Sequence, residues 1–289
     1  MSPFRLPSLL VVVLALAAGC QKSAPPAGET KARRIVSLSP SVTETLFALG
    51  AGPEVVGVSD YTVLPEGTPA LPKVGTTFAP NYEAIARLKP TLLVDQQVKQ
   101  APSEALSALA PLKVLPWLSL SEVVGSVKEL GRLSGREAQA TALAERLQST
   151  LSRPAPKGAP RVLLVLGDAA GTLSEVWYMK RGSLHGAALE AAGARNAVAD
   201  DRAGPPNLSL EGLIALDPDA VLVLVTTPRM DAGQQALVLA PWKKLTGLRA
   251  AREDRVRLVI GPDVQSTGPA ILDVVERLRA ALGTLPSAR

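Results

Sequence analysis

Two stretches of this chain, 128 residues apart, carry the same pattern. Glu83 is followed by Leu88, Pro90 and the apolar run Thr91–Val94; Glu211 is followed by Leu216, Pro218 and the run Ala220–Val225. In each, a short helical segment ends at a proline, which has no N–H to continue the helix, and a strand of the fully buried type follows. The apolar run that starts at Ile35 is matched by one that starts near Val162, 127 positions later, and Gly50-Ala51 is echoed by Gly193-Ala194. The two matches at offsets of 127 and 128 mark a duplicated supersecondary unit, and the glycine echo lies 143 positions apart. A chain of 289 residues built this way is expected to fold as two similar α/β halves.

The first half fills in that outline. Ile35–Leu38 is a strand, and Ser41-Val42-Thr43-Glu44 after it fits a helix-capping box. Val42, Leu46 and Leu49 then recur at helical spacing, and Gly50 ends the helix in a left-handed turn. Val55–Val58, Thr91–Val94 and Lys113–Leu115 are further strands, with Asn81 as N-cap of a short helix ending at Lys89-Pro90. Strands alternating with helices predict a parallel sheet covered on both faces. From Ser121 to Ser152 there is no proline, and Val123, Val127, Leu130, Leu133, Ala140, Leu143, Leu147 and Leu151 keep a helical period. The segment reads as one helix of about 30 residues, near 45 Å long, or as two helices broken near Gly135. RPAPKGAP at Arg153–Pro160 ends it, and Arg161–Leu166 restarts the alternation. The expected organisation is an N-terminal lobe at 33–118, a linking helix at 119–153 and a C-terminal lobe at 160–285.

Ahead of the lobes stands an address label. MSPFRLPSLLVVVLALAAGC has a positive residue, Arg5, and an apolar run, Leu9–Ala18, too short to span a bilayer comfortably, which is the signal-peptide pattern. Leu16-Ala17-Ala18-Gly19-Cys20 resembles a bacterial lipobox, with Ala17 where Leu is commoner. The only cysteine of the chain sits where lipidation needs it. Residues 1–19 are thus expected to be a lipoprotein signal and 20–32 a lipidated Cys20 with a flexible Pro/Gly-rich tether. The protein is expected to be exported and lipid-anchored, its body in the periplasm or at the outer face of the cell membrane.

Composition removes most functions. The formal charge of +5 is dispersed and forms no basic stripe for nucleic acid. One Cys excludes an intrachain disulfide framework, and one His leaves little room for a metal centre or a His-based relay. No GxGxxG, GxxxxGK[ST] or GxSxG occurs, and the carboxylates show no paired acid/base arrangement. His185 reads as a surface or cap residue rather than a catalyst, with a heme-ligand role as the second reading. No catalytic residue, resident cofactor or resident metal is expected.

RRIVSLSPSVTETLFALGAGPEVVGVSDY, LPKVG, PNYEAIARLKPTLLV, RGSLHGAALEAAGARNAV and LSLEGLIALDPDAVLVL together resemble the periplasmic substrate-binding proteins for cobalamin, heme and iron–siderophores, over about residues 33–283. Cobalamin-binding members are nearest in pattern, except at Pro205-Pro206, where they carry a Trp. The resemblance implies two Rossmann-like lobes joined by one long rigid α-helix, the helical-backbone metal-receptor architecture. It implies a monomeric substrate-binding component of an ABC importer that delivers a metal chelate to a permease dimer with its ATPase subunits. Cobalamin or a related corrinoid is the first choice of ligand; heme or a ferric siderophore is the alternative, and an exported α/β enzyme or ligand-free scaffold is another. Candidate ligand contacts are Ser39, Pro40, Tyr61, Phe78, Trp177, Tyr178 and Gln265, which include four of the nine aromatics of a chain poor in them. Stacking surfaces of that kind suit a flat ligand. In this family the glutamates matching Glu83 and Glu211 dock on permease arginines.

Overall fold

The computed structural model describes residues 32–98, 103–167, 173, 175–198 and 204–286. The first lobe contains β1 (Ile35–Ser37), α1 (Pro40–Ala48), β2 (Val55–Val58), α2 (Tyr82–Arg87), β3 (Leu92–Gln96), α3 (Ser103–Ser107) and β4 (Leu112–Leu115). Two helices follow, α4 (Leu120–Ser134) and α5 (Glu137–Leu151). The second lobe begins with β5 (Arg161–Gly167), β6 (Glu175–Trp177), α6 (Leu184–Ala192), β7 (Arg195–Asn196), β8 (Asn207–Ser209) and α7 (Leu210–Leu216). It ends with β9 (Ala220–Thr226), α8 (Ala232–Lys243), α9 (Arg249–Arg252), β10 (Val256–Gly261) and α10 (Ile271–Gly283).

Each lobe holds a four-stranded parallel sheet, in the order β2-β1-β3-β4 in the first and β7-β5-β9-β10 in the second. The two orders superimpose strand for strand. Ile35 pairs with Leu92 in the first sheet, and Val162 pairs with Ala220 in the second. These are the positions that the 127–128 residue repeat places in correspondence. The second lobe adds a two-stranded antiparallel ribbon, β6 with β8, which the sequence pattern did not announce.

Successive strand residues point to opposite faces, so each sheet feeds two cores. Ile35 enters a central core, and Val36 enters an outer core of the first lobe with Ile85 and Leu106. Leu164 enters the same central core, whereas Leu163 and Val165 enter an outer core of the second lobe with Trp242. The central core is continuous from Leu46 of α1, through Val127 and Leu130 of α4 and Leu147 of α5, to Leu189 of α6 and Val275 of α10. The lobes therefore share apolar packing.

Of the two readings of the linking segment, the pair of helices broken at Gly135 forms, and the single long helix does not. Ser119 caps α4, accepting from the amide of Glu122, while Glu122 accepts from the Ser119 amide. The helix stops at Gly135, whose left-handed φ of 68° is a conformation that glycine adopts without strain. Helix α5 then folds back against α4. The fold-back is close because Gly131 faces Ala140: a Cβ on Gly131 would lie 2.3 Å from the Ala140 Cβ. The start of α1 also differs from expectation. Pro40 occupies the first helical turn, where its fixed φ suits entry, so the helix begins ahead of Ser41 and no Ser41–Glu44 capping box forms. Ser39 is the N-cap but makes no side-chain cap bond.

This packing has a testable consequence at Gly131. Alanine has a helix propensity about 1 kcal/mol better than glycine. Its methyl would nevertheless overlap Ala140, and overpacking of that kind costs about 1–3 kcal/mol. Gly131→Ala is expected to lower stability on balance, read as a reduced urea midpoint at unchanged slope. A raised midpoint would show that the α4–α5 approach is looser than described.

Candidate functional site

Between the lobes lies a cleft of about 580 Å³. Its first wall comes from the start of α1 (Pro40, Glu44), from Tyr61 and from Gln96 at the end of β3; its second wall comes from Thr226 at the end of β9 and from the loop that carries Asp263, Gln265, Ser266 and Thr267. The cleft thus opens at the carboxyl ends of the parallel strands, where open α/β sheets collect ligands. The volume lies within the range of small-molecule sites.

Of the residues singled out in the sequence, Pro40, Tyr61 and Gln265 line this cleft. Tyr61 is 78% exposed, so its ring presents a free face. Ser39 does not reach the cleft: it is buried, and its hydroxyl donates to Gln96 Oε1 at 2.9 Å. Phe78 is exposed on the loop before α2 and is not part of the cleft wall. Trp177 lines a neighbouring cavity of about 340 Å³ with Trp242 and Glu175, and Gln265 borders both spaces. The Trp177 indole donates to Glu175 Oε1 at 3.1 Å.

Tyr178 requires a correction. It is buried in the outer core of the second lobe with Val176. Side chains alternate through β6, so Glu175 and Trp177 face outward while Val176 and Tyr178 face the core. Two adjacent aromatics on an extended segment cannot share one face. Cys20 lies outside the described residues. Glu83 and Glu211 are each the second residue of a short helix, α2 and α7, and both are exposed. Asn81 caps the first of these helices by accepting from Ala84 N, and Ser209 caps the second by accepting from Gly212 N. Glu83 pairs with Arg87 one turn on. Hydrogen bonds from its own backbone amide and from Ser209 hold the Glu211 carboxyl below the usual range.

The residues that tie the cleft walls together were not foreseen. Glu44 reaches from α1 to the other lobe, where Oε2 accepts from the Ser266 hydroxyl at 2.5 Å and Oε1 accepts from the backbone amide of Ala270. Ser41 and Thr267 share a hydroxyl hydrogen bond of 2.7 Å, and Trp117 Nε1 donates to the Thr267 carbonyl at 2.9 Å. From the loop's own side, His185 is within 3.0 Å of the Val264 carbonyl. His185 is thus a buried anchor, neither a surface nor a cap residue. Burial holds its pKa down, which keeps the ring neutral and able to donate. Burial likewise pushes the Glu44 carboxyl up, with Asp263 and Asp273 adding to the rise against the bonds from Ser266 and Ala270.

Among the described residues, the cleft lining includes two carboxylates, hydroxyls, amides and apolar groups, and no Lys, Arg or His. A model of the periplasmic binding protein family matches residues 35–260. The chain belongs to that family. It is 28% identical over 266 residues to the cobalamin-binding protein of Halobacterium salinarum, covering 88% of this chain and 70% of that protein. It is 28% identical to an uncharacterised ABC transporter substrate-binding lipoprotein of Bacillus subtilis, with 86% and 80% of the two chains covered. Among solved structures, a periplasmic heme-binding protein from Pseudomonas aeruginosa aligns with a TM-score of 0.69 at 28% identity, over 89% of this chain and 94% of that one. These matches carry the two-lobed α/β fold.

Asp95, buried beneath the first wall, gives the site a pH signature. Its Oδ1 accepts from the Thr77 hydroxyl at 2.9 Å and from the Gln96 amide at 2.8 Å, yet burial raises its pKa from 3.8 to about 6. A carboxyl that holds its proton more tightly when folded makes the fold more stable in acid. That contribution is full below about pH 4 and is lost as the pH rises through about 6. A shift of about two units corresponds to at most about 3 kcal/mol. Relative to Asp95→Asn, the parent chain is expected to gain stability between pH 7.5 and 4.5, measured by urea unfolding at each pH. Parallel pH profiles for the two proteins would exclude the assignment.

Proposed function

We propose that this chain is the substrate-binding component of an ABC importer, and that its cargo is a flat metal chelate of the corrinoid class. The observation that carries the ligand class is the described cleft lining: an exposed phenol ring beside side-chain amides and hydroxyls. A chelate rimmed with amides exchanges hydrogen bonds with such a wall, and its ring stacks on Tyr61. Heme carries two carboxylates, and the described lining sets two more, Glu44 and Asp263, against them. Heme remains the second reading because Tyr61 places an exposed phenol in the cleft, and a phenolate is a known haem-iron ligand. The H. salinarum relative named for cobalamin supports the first reading, and the P. aeruginosa neighbour named for heme supports the second.

The chain is exported and held to a membrane through a lipid on Cys20, a reading supported by the lipobox-like sequence and by the lipoprotein name of the B. subtilis relative. Glu83 and Glu211 dock the loaded protein on the permease. Support comes from their equivalent places on matching helices and from their exposure. Charges at such positions orient and speed association rather than hold it tightly, and salt weakens them.

Titration of cyanocobalamin and of hemin into the purified soluble body tests the cargo. Saturable cobalamin binding is expected, with Tyr61→Ala weakening it about 5–30-fold, equivalent to about 1–2 kcal/mol. Tight hemin binding with no corrinoid binding would reverse the two readings, and binding of neither would remove both. For docking, Glu83→Ala combined with Glu211→Ala is expected to abolish stimulated uptake at unchanged ligand affinity. Normal uptake by that double variant would leave the two glutamates only a helix-dipole role of about 0.3–1 kcal/mol.

A further inference from the structure

We propose that Glu44 is a positioning residue for ligand capture, an acceptor that latches the Asp263–Ala270 segment of the second lobe onto α1 and so fixes the far wall of the cleft. The role of that wall rests on the cleft being the cargo site; the latch itself does not.

The bonding pattern is built for one purpose. Glu44 lies on a helix of the first lobe, yet both of its oxygens accept from the second: Ser266 at 2.5 Å and the amide of Ala270. Ala270 is the N-cap of α10 and has no side-chain cap of its own. Its amide is one of the N–H groups a helix start leaves without an internal partner, and a carboxylate is the acceptor such a terminus favours. Glu44 therefore caps α10 from the other lobe. Ser266 in turn accepts from the amide of Gly268 at 2.9 Å, which folds the segment into a compact turn around the carboxylate.

Gly268 shows how closely the parts fit. A Cβ there would come within 2.8 Å of the Glu44 carboxyl carbon and 2.9 Å of both its oxygens. A methyl there would require the Glu44 carboxylate to move off its partners. Around the latch stand Asp263, whose Oδ1 is buried without a hydrogen bond, and Asp273 on α10. Arg277 approaches Asp263 at 3.6 Å, an ion-pair distance too long for a hydrogen bond. Ser41 and Trp117 hold Thr267 within the same segment, so the latch is the centre of a short seam. Gln265, Ser266 and Thr267, which face the cleft, all belong to the segment so held.

A double-mutant cycle in the full chain tests this, read by hydrogen exchange of peptides covering residues 262–270 without ligand. Glu44→Ala is expected to speed exchange there about tenfold or more, and Gly268→Ala, whose methyl displaces the carboxylate, to do the same. The double variant should be no faster than Glu44→Ala alone, because truncation makes room for the methyl. Glu44→Gln keeps an acceptor for Ala270 and should stay within a few-fold of the parent. Unchanged exchange in both single variants, additive effects in the double, or a Gln variant as fast as Ala would each overturn the latch. If Glu44→Ala fails to fold, Gly268→Ala alone decides by the same criterion. As the capture readout, cyanocobalamin should dissociate at least fivefold faster from the latch variants than from the parent, and equal rates would confine Glu44 to a structural role. If the parent binds neither cyanocobalamin nor hemin, the cargo reading fails and the capture role falls with it, while the exchange cycle still decides the latch.

Discussion

The close contact of α4 with α5 is the packing on which the rest of the molecule depends. It is permitted by the missing side chain of Gly131 opposite Ala140 and by the left-handed turn at Gly135. With the segment folded back, residues of both helices contribute to one apolar core shared by the two lobes. Apolar surface is the dominant favourable term in folding, and a shared core couples the lobes in a way that a bare tether does not. A polar seam between α1 and the Asp263–Ala270 segment then refines their relation at the cleft.

Division of labour follows from that arrangement. The shared core sets where the lobes stand, while hydrogen bonds set how the walls of the cleft present themselves. Hydrogen bonds are directional and geometrically exacting, whereas apolar contacts tolerate sliding. Placing the exacting contacts beside the cleft and the tolerant ones behind it concentrates precision where a ligand meets protein. His185 extends the same logic, because its buried imidazole steadies the Val264 carbonyl one residue before Gln265.

Much of this was legible in the sequence because duplication leaves a long-range signal. The matched Glu–Leu–Pro–strand units locate β3 and β9, and the matched strands at Ile35 and Val162 locate β1 and β5; the common strand order follows from them. Pro40, Tyr61 and Gln265 were named through the family resemblance, and all three line the cleft. What escaped the reading escaped it for local reasons. Ser41 and Glu44 have the spacing of a capping box, yet once Pro40 begins the helix, both side chains are free to bond across the cleft. Tyr178 and Trp177 look equivalent as neighbours, but the extended backbone of β6 sends one inward and the other outward. The break at Gly135 was visible, although the pattern of apolar residues alone does not distinguish a straight helix from one folded back on itself. Glu44 as a contact between lobes has no sequence signature at all, since its partners lie more than 220 positions away.

The β6–β8 ribbon has a consequence for direction. Two duplicated lobes facing one another would form a cavity whose halves are interchangeable, and a cargo could enter either way up. Among the described residues the first lobe has no such ribbon, whereas the second builds one from β6, after β5, and β8, before α7, and hangs the Trp177 indole on its outer face. One side of the cleft is therefore bordered by a tryptophan-lined recess, and the other by Tyr61 in the long connection from β2 to α2. The cavity has a handedness that its scaffold lacks. A molecule with two unlike faces meets two unlike walls, and only one of its two orientations matches each face to its own wall.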